Sequence, residues 1–177
     1  MSNIYFTEEH EFFRKSFKDF LQKEVVPHIE KWEKTGTIDR FIWEKFGEMG
    51  YFGLATPEAY GGMGLDIFYT IIFIEELQKI NSGGFAAAIW AHEYLAMTHL
   101  NKEASEAQKQ KYLVPSVTGE KIGCLCITEP FGGSDVGGMR TTAVKNGDTY
   151  VINGSKTFIT NGVYSDYLIV AAKTAPE

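Results

Sequence analysis

The sequence predicts an α+β fold, helical through about residue 119 and β-rich from residue 120 onward. Three observations carry this. Apolar residues recur at three- and four-residue steps up to Gly119. From Lys121 the pattern changes to short runs that read as strands. Two of those runs flank Asn146-Gly147, a strong hairpin signal. Helices first and strands later point to segregated α and β parts with a boundary near residues 117–121. At 177 residues with 44% apolar content, the chain fits one ordinary domain or two small ones and can bury a real core.

The elements follow in order. Thr7 with Glu8 and Glu9 reads as an N-cap and an acidic first turn. Phe13, Phe17, Leu21, Val25, Ile29 and Trp32 then form one apolar stripe, which Pro27 should kink or split before Gly36 ends it. Asp39 opens a shorter helix with Ile42, Trp43, Phe46 and Met49, closed by Gly50. "TPEAYGGMG" (Thr56 to Gly64) is a loop by composition. Leu65 to Ile80 is apolar on nearly all sides, which predicts a buried central helix. Ser82, Gly83 and Gly84 interrupt before an alanine-rich helix over residues 85–100. Ser105 caps a last helix that ends near Pro115. The expected strands are "IGCLCIT", "RTTAV", "TYVIN", "KTFITN" and "YLIVAAK". Five strands closing on "KTAPE" make a poor sheet with an open far edge, so the chain is expected to be a piece of a longer one.

Composition removes several function classes. The net charge of -6 argues against a nucleic-acid binder. The longest strongly apolar run, Ile67 to Ile74, is too short to span a membrane, and no secretory or transit signal opens the chain. Cys124 and Cys126, at i and i+2 of an apolar run, read as small buried hydrophobes rather than a disulfide or metal pair, and the simplest compartment is a reducing cytoplasm. There is no G-x-G-x-x-G, and "NGSKT" lacks the adjacent glycine and lysine of a P-loop. His92 and His99 are seven apart, where a zinc-protease helix needs four, and they read as ordinary helix residues. There is no G-x-S-x-G.

Two segments remain. In "CLCITEPFGGSD" an apolar strand ends at Thr128, Pro130 stops the ladder, and Gly132 and Gly133 allow close backbone approach before Ser134 and Asp135. Such a loop either offers backbone N–H groups to an anion such as a diphosphate or is a plain β-turn. "GSKTFITNG" (Gly154 to Gly162) also ends a strand in a polar cluster, with the aromatic face of Phe158 and the hydroxyl of Thr160; the plain alternative is a strand running into an Asn-Gly turn. Together the two strand ends suit one flat, polar-edged ring, whose identity composition does not give.

"CITEPFGGSD", "INGSKTFITNG", "YGGMGLD" and "QKYLVPSVTGEKIG", in this order, resemble segments of the acyl-CoA dehydrogenase family, with a lean toward its long-chain-type members in "VVPHIEKWEKTG" and "INGSKTFITNG". The resemblance covers the chain from about Phe6 onward. It implies a helical N-terminal domain (1–119) followed by the start of an antiparallel β-barrel-like middle domain (120–177), cut before a helical C-terminal domain. It implies FAD held between the two. By carry-over, Leu125, Ile127 and Thr128 meet the flavin ring through backbone and hydroxyl contacts. Gly133 and Ser134 lie by the diphosphate, with Ser134 also near acyl-CoA. Phe158, Ile159 and Thr160 line the other side of the ring, Thr160 near flavin N5. Many relatives carry tryptophan at the position of Phe158 and glycine at that of Phe131, so the indole donor is lost and the bulky Phe131 must point away from the cofactor or the loop must differ.

The implied reaction is α,β-desaturation of a fatty acyl-CoA, with electrons passed to an electron-transfer flavoprotein by a homotetramer. The implied catalytic glutamate belongs to the C-terminal domain, so no catalytic residue is expected among the 177 and the stretch alone is expected to be inactive. Glu129 is expected to be structural. The rival expectations are a flavin oxidase or monooxygenase of the same fold, and a non-catalytic binding module without flavin.

Overall fold

A computed structural model describes residues 5–175. The expectations about the chain's first four and last two residues fall outside it. Helix α1 (Glu8–Phe20) starts at a capping box. Thr7 Oγ1 accepts the His10 N–H, and His10 Nδ1 accepts the Thr7 N–H. A π turn (Leu21–Val25) and a 3-10 turn (Val26–His28) follow, then α2 (Ile29–Thr35), capped by Gly36 at φ 68°. The break falls around Pro27, as expected from its missing donor. α3 (Arg40–Glu48) opens after Asp39, whose carboxylate caps nothing. It accepts from Lys31 Nζ (2.6 Å) and Trp32 Nε1 (3.1 Å) instead. Met49, expected in the apolar stripe, is 55% exposed.

α4 (Ile67–Gln78) is capped by Asp66, which accepts the Phe68 N–H at 2.8 Å. It is not buried all round. Ile72, Phe73, Glu76 and Leu77 are buried, while Ile67 is 63% exposed. A helix apolar on every side does not reveal which faces find partners; here α1 takes one face, and buried Glu76 is neutralised there by Arg14 (3.0 Å) and Lys79 (2.6 Å).

α5 (Gly83–Trp90) takes Gly83 and Gly84 into its first turn and continues through a π turn (Ala91–Ala96) into α6 (Met97–Glu103). Ser105 and Gln108 make a second capping box for α7 (Glu106–Gln108). A π turn (Lys109–Leu113) leads to α8 (Val114–Val117). Pro115 therefore lies inside a continuous helical run, just past the π turn that loosens the backbone hydrogen bonding there, and does not end it.

Phe17, Trp43, Phe46, Phe52 and Phe73 are fully enclosed at the centre of the helical part. The chain leaves α8 through Gly119 (φ 74°), where a Cβ would lie 2.0 Å from the Trp43 carbonyl oxygen, so only glycine fits this approach to α3.

Four strands follow. β1 (Gly123–Cys126) and β4 (Tyr167–Val170) pair in parallel, with Gly123 opposite Tyr167. β2 (Thr142–Asn146) and β3 (Thr149–Asn153) form the antiparallel hairpin, turning at Gly147-Asp148, one residue later than expected. The antiparallel expectation thus holds for the hairpin and not for β1 with β4. Their long connection leaves room for the crossover that parallel pairing requires. "KTFITN" is not a strand. Phe158 (φ 56°) and Asn161 (φ 66°) adopt left-handed backbone, which breaks a ladder.

Candidate functional site

The loop after β1 is organised by Glu129. Its buried carboxylate accepts from Arg140 N (2.6 Å), Thr141 N (2.9 Å), Thr141 Oγ1 (2.5 Å) and Lys156 Nζ (2.8 Å). The Lys156 ammonium first, then the Thr141 hydroxyl and the two backbone N–H groups, hold its carboxyl well below the usual carboxylate range. Glu129 and Gly132 exchange backbone hydrogen bonds at 2.9 and 3.1 Å, closing a tight turn beyond Pro130. Asp135 Oδ1 accepts the Gly138 N–H at 3.0 Å. Gly133 and Ser134 stand exposed at the crest. Phe131 is 74% exposed and lies under the Arg140 guanidinium, 4.4 Å from the ring centroid.

The second segment meets the first directly. Thr157 donates its N–H to the Thr128 carbonyl at 2.9 Å, and Lys156 Nζ donates to the Ile127 carbonyl at 2.9 Å. Lys156 therefore ties the end of the β1 run, the Glu129 loop and its own segment together. Beyond it, Phe158 is 90% exposed on strained backbone. Asn161 anchors the segment on α5. Its buried Nδ2 donates to the Ala88 carbonyl at 2.9 Å, and its Oδ1 accepts the Tyr164 hydroxyl at 2.9 Å.

Of the residues picked from sequence, Leu125, Ile127, Thr128 and Ile159 are half-buried, while Gly133, Ser134, Phe158 and Thr160 are exposed. Both segments border one region because of the Thr128–Thr157 bond.

Sequence reasoning missed the roles of Lys156, Asn161, His92 and Glu93. Asn161, the first residue of the Asn-Gly pair, did carry a signal, because asparagine tolerates left-handed backbone. His92 carried none. It is fully buried, accepts the Gly123 N–H at Nδ1 (3.1 Å) and faces the Ser116 carbonyl with Nε2 (3.1 Å). Burial pushes its pKa down to about 4. Glu93, also buried, accepts the N–H groups of Gly53 (2.8 Å) and Leu54 (3.1 Å), yet burial pushes its pKa up to about 7. The Cys124 and Cys126 sulfurs are free, buried and 3.8 Å apart, and burial first, then the neighbouring sulfur, pushes the Cys126 thiol up to about 12. It is a poor nucleophile. Among the described residues no helix is long and apolar enough to cross a membrane.

A helical part thus leads into strands, and the segments after β1 and β3 meet at the Thr128–Thr157 bond. Residues 7–120 match the model for the acyl-CoA dehydrogenase N-terminal domain, and residues 124–177 match that for its middle domain. The chain belongs to the acyl-CoA dehydrogenase family, whose cofactor is FAD. It is 40% identical over 172 residues to the mitochondrial long-chain specific acyl-CoA dehydrogenase of Sus scrofa, covering 97% of this chain and 40% of that protein. It is 41% identical over 168 residues to the short-chain specific acyl-CoA dehydrogenase of Clostridium acetobutylicum, covering 95% and 44%.

Among solved structures, the acyl-CoA dehydrogenase of Geobacillus kaustophilus superposes with a TM-score of 0.93 at 43% identity, over 99% of this chain and 46% of that one. The Bacillus anthracis acyl-CoA dehydrogenase complexed with FAD gives 0.89 at 38% identity, over 96% and 29%. The chain thus spans less than half the length of these relatives.

Proposed function

We propose that this chain is the FAD-holding portion of an acyl-CoA dehydrogenase, built from a helical domain (1–119) and part of a β-domain (120–177). The observation that carries the reading is the Thr157–Thr128 hydrogen bond of 2.9 Å, which joins the two segments into one candidate site. The residues suit a flavin. Phe158 offers an aromatic face that its own fold leaves uncovered, on backbone strained enough to need a reason. Phe158, Ile159 and Thr160 would line one side of the ring, and Leu125, Ile127 and Thr128 would meet it from the strand end. Gly133 and Ser134 would hold the diphosphate with exposed backbone, Ser134 also near acyl-CoA. Phe131, drawn under Arg140, leaves the glycines of the loop clear.

FAD supplies the two-electron acceptor for desaturation of a fatty acyl-CoA at the α,β position. The chain's own residues bind and orient it. None is proposed as the base, since the Glu129 carboxylate is occupied by Lys156, Thr141 and Arg140. The same reading includes an electron-transfer flavoprotein as acceptor, a homotetramer, a cytoplasmic location and inactivity of residues 1–177 alone.

The test uses the protein with its full reading frame. A yellow holoprotein whose flavin is bleached anaerobically by a fatty acyl-CoA, and which then reduces a dye, is the expected result. Oxygen consumption coupled to turnover, or a full-length protein that takes up no flavin, overturns it. Acyl-CoA-dependent dye reduction by residues 1–177 alone overturns the inactivity.

A further inference from the structure

We propose that His92 is a positioning residue that fixes the start of β1 by accepting the Gly123 N–H, and so sets where Leu125, Ile127 and Thr128 stand. It rests on the flavin reading above for its consequence, though not for its geometry.

The two partners of His92 determine its chemical form. The Ser116 carbonyl can only accept, so Nε2 carries the proton, and Gly123 donates its N–H, so Nδ1 is the bare acceptor. The ring is the neutral Nε2–H tautomer, held edge-on to Trp43 and Phe52, with centroids 5.5 and 4.7 Å away. Its complete burial resists protonation. The ring therefore supplies an acceptor that water cannot replace.

The contact point allows little play. A Cβ on Gly123 would lie 2.3 Å from the Tyr167 ring and 2.7 Å from the Ala96 Cβ. The strand start is thus pressed between β4 and the π turn Ala91–Ala96 that carries His92. That turn widens the helix where the strand crosses it, as π turns commonly do at functional sites. The far end of the run is held by Lys156 to Ile127 and by Thr157 to Thr128. A run pinned at both ends has its intervening residues placed. Pairing with β4 and the bonds between Ile122 and Asp166 (2.7 Å each) hold the strand start on its other side, so losing the His92 bond loosens only the side that faces the π turn.

Two conservative variants separate positioning from packing. In His92→Asn the side-chain oxygen sits where Nδ1 sits, so the Gly123 bond is kept and the Ser116 bond lost. In His92→Gln the amide nitrogen reaches the place of Nε2, so the Ser116 bond is kept and the Gly123 bond lost. Both are made in the full-length holoprotein, and FAD affinity, the visible flavin spectrum and thermal stability are measured.

The expected result is a comparable drop in Tm for both, with FAD affinity near wild type in the Asn variant and about tenfold weaker in the Gln variant. Equal loss of FAD in both, in step with Tm, or no loss in the Gln variant, overturns the proposal. If a variant does not fold, the wild-type protein still decides. Nitrogen NMR must find Nδ1 unprotonated, and the Gly123 amide must exchange as slowly as those of Leu125 and Cys126. A protonated Nδ1 or a fast Gly123 amide overturns it. A wild-type protein that binds no FAD sinks the flavin reading, while the tautomer and exchange measurements still judge the anchor.

Discussion

Phe158 offers the sharpest test of the site. Replacing it with glycine removes a side chain that is 90% exposed and relieves a residue at φ 56°. A left-handed non-glycine residue costs roughly 1–2 kcal/mol, and the extra unfolded-state freedom of glycine takes back about 0.5–1 kcal/mol. The fold should therefore be unchanged or about 1 kcal/mol more stable by urea titration. The cofactor should feel the opposite. An aromatic side chain buries about 200 Å², and covering one face of it at ~25 cal/mol per Å² is worth about 2 kcal/mol, roughly thirtyfold in Kd. Flavin fluorescence on release from the full-length protein measures this. Phe158→Trp, which keeps the face, should bind FAD close to wild type. If Phe158→Gly instead loses more than ~1 kcal/mol of stability with FAD affinity intact, the ring packs within the protein and the argument from strain fails.

Two other residues give independent checks. Asn161→Ala removes two hydrogen bonds and places alanine in left-handed backbone, so about 3 kcal/mol should be lost, whereas Asn161→Gly, free of the backbone term, should lose about 1–2 kcal/mol; denaturant titrations that rank them the other way refute the anchor on α5. Glu93 has its folded-state pKa raised to about 7 from an ordinary 4.5, so the folded protein holds this proton more tightly than the unfolded chain. This group's contribution is then most favourable below pH 4.5 and is lost as pH rises to about 7, on the order of 3 kcal/mol in all. Glu93→Gln should flatten that slope between pH 5 and 8, and an unchanged slope would locate the effect elsewhere.

The order of helices and strands, the two caps at Thr7 and Ser105, the break at Pro27 and the hairpin were all legible in the amino-acid sequence. These features arise from neighbours: a cap, a proline or an apolar period acts within a few residues of itself. The same holds for the candidate loop, whose Pro130, Gly132 and Gly133 announce a turn wherever the chain goes. What the turn faces was not local. The Thr128–Thr157 contact spans 29 residues, and the His92–Gly123 bond spans 31. "KTFITN" was misread as a strand because its residues favour extended backbone individually, while Asn161 is drawn onto α5 by the Ala88 carbonyl.

By itself, then, the sequence determined the class of fold, the order of most elements and the two segments that carry the candidate site. Only the tertiary structure decided that β1 and β4 run parallel, that α4 leaves an apolar face open, and that the partners of Glu129 include Lys156 of the second segment. Burial and long-range pairing are properties of several distant segments at once. A propensity written at one position cannot encode where a partner far along the chain will be brought to meet it.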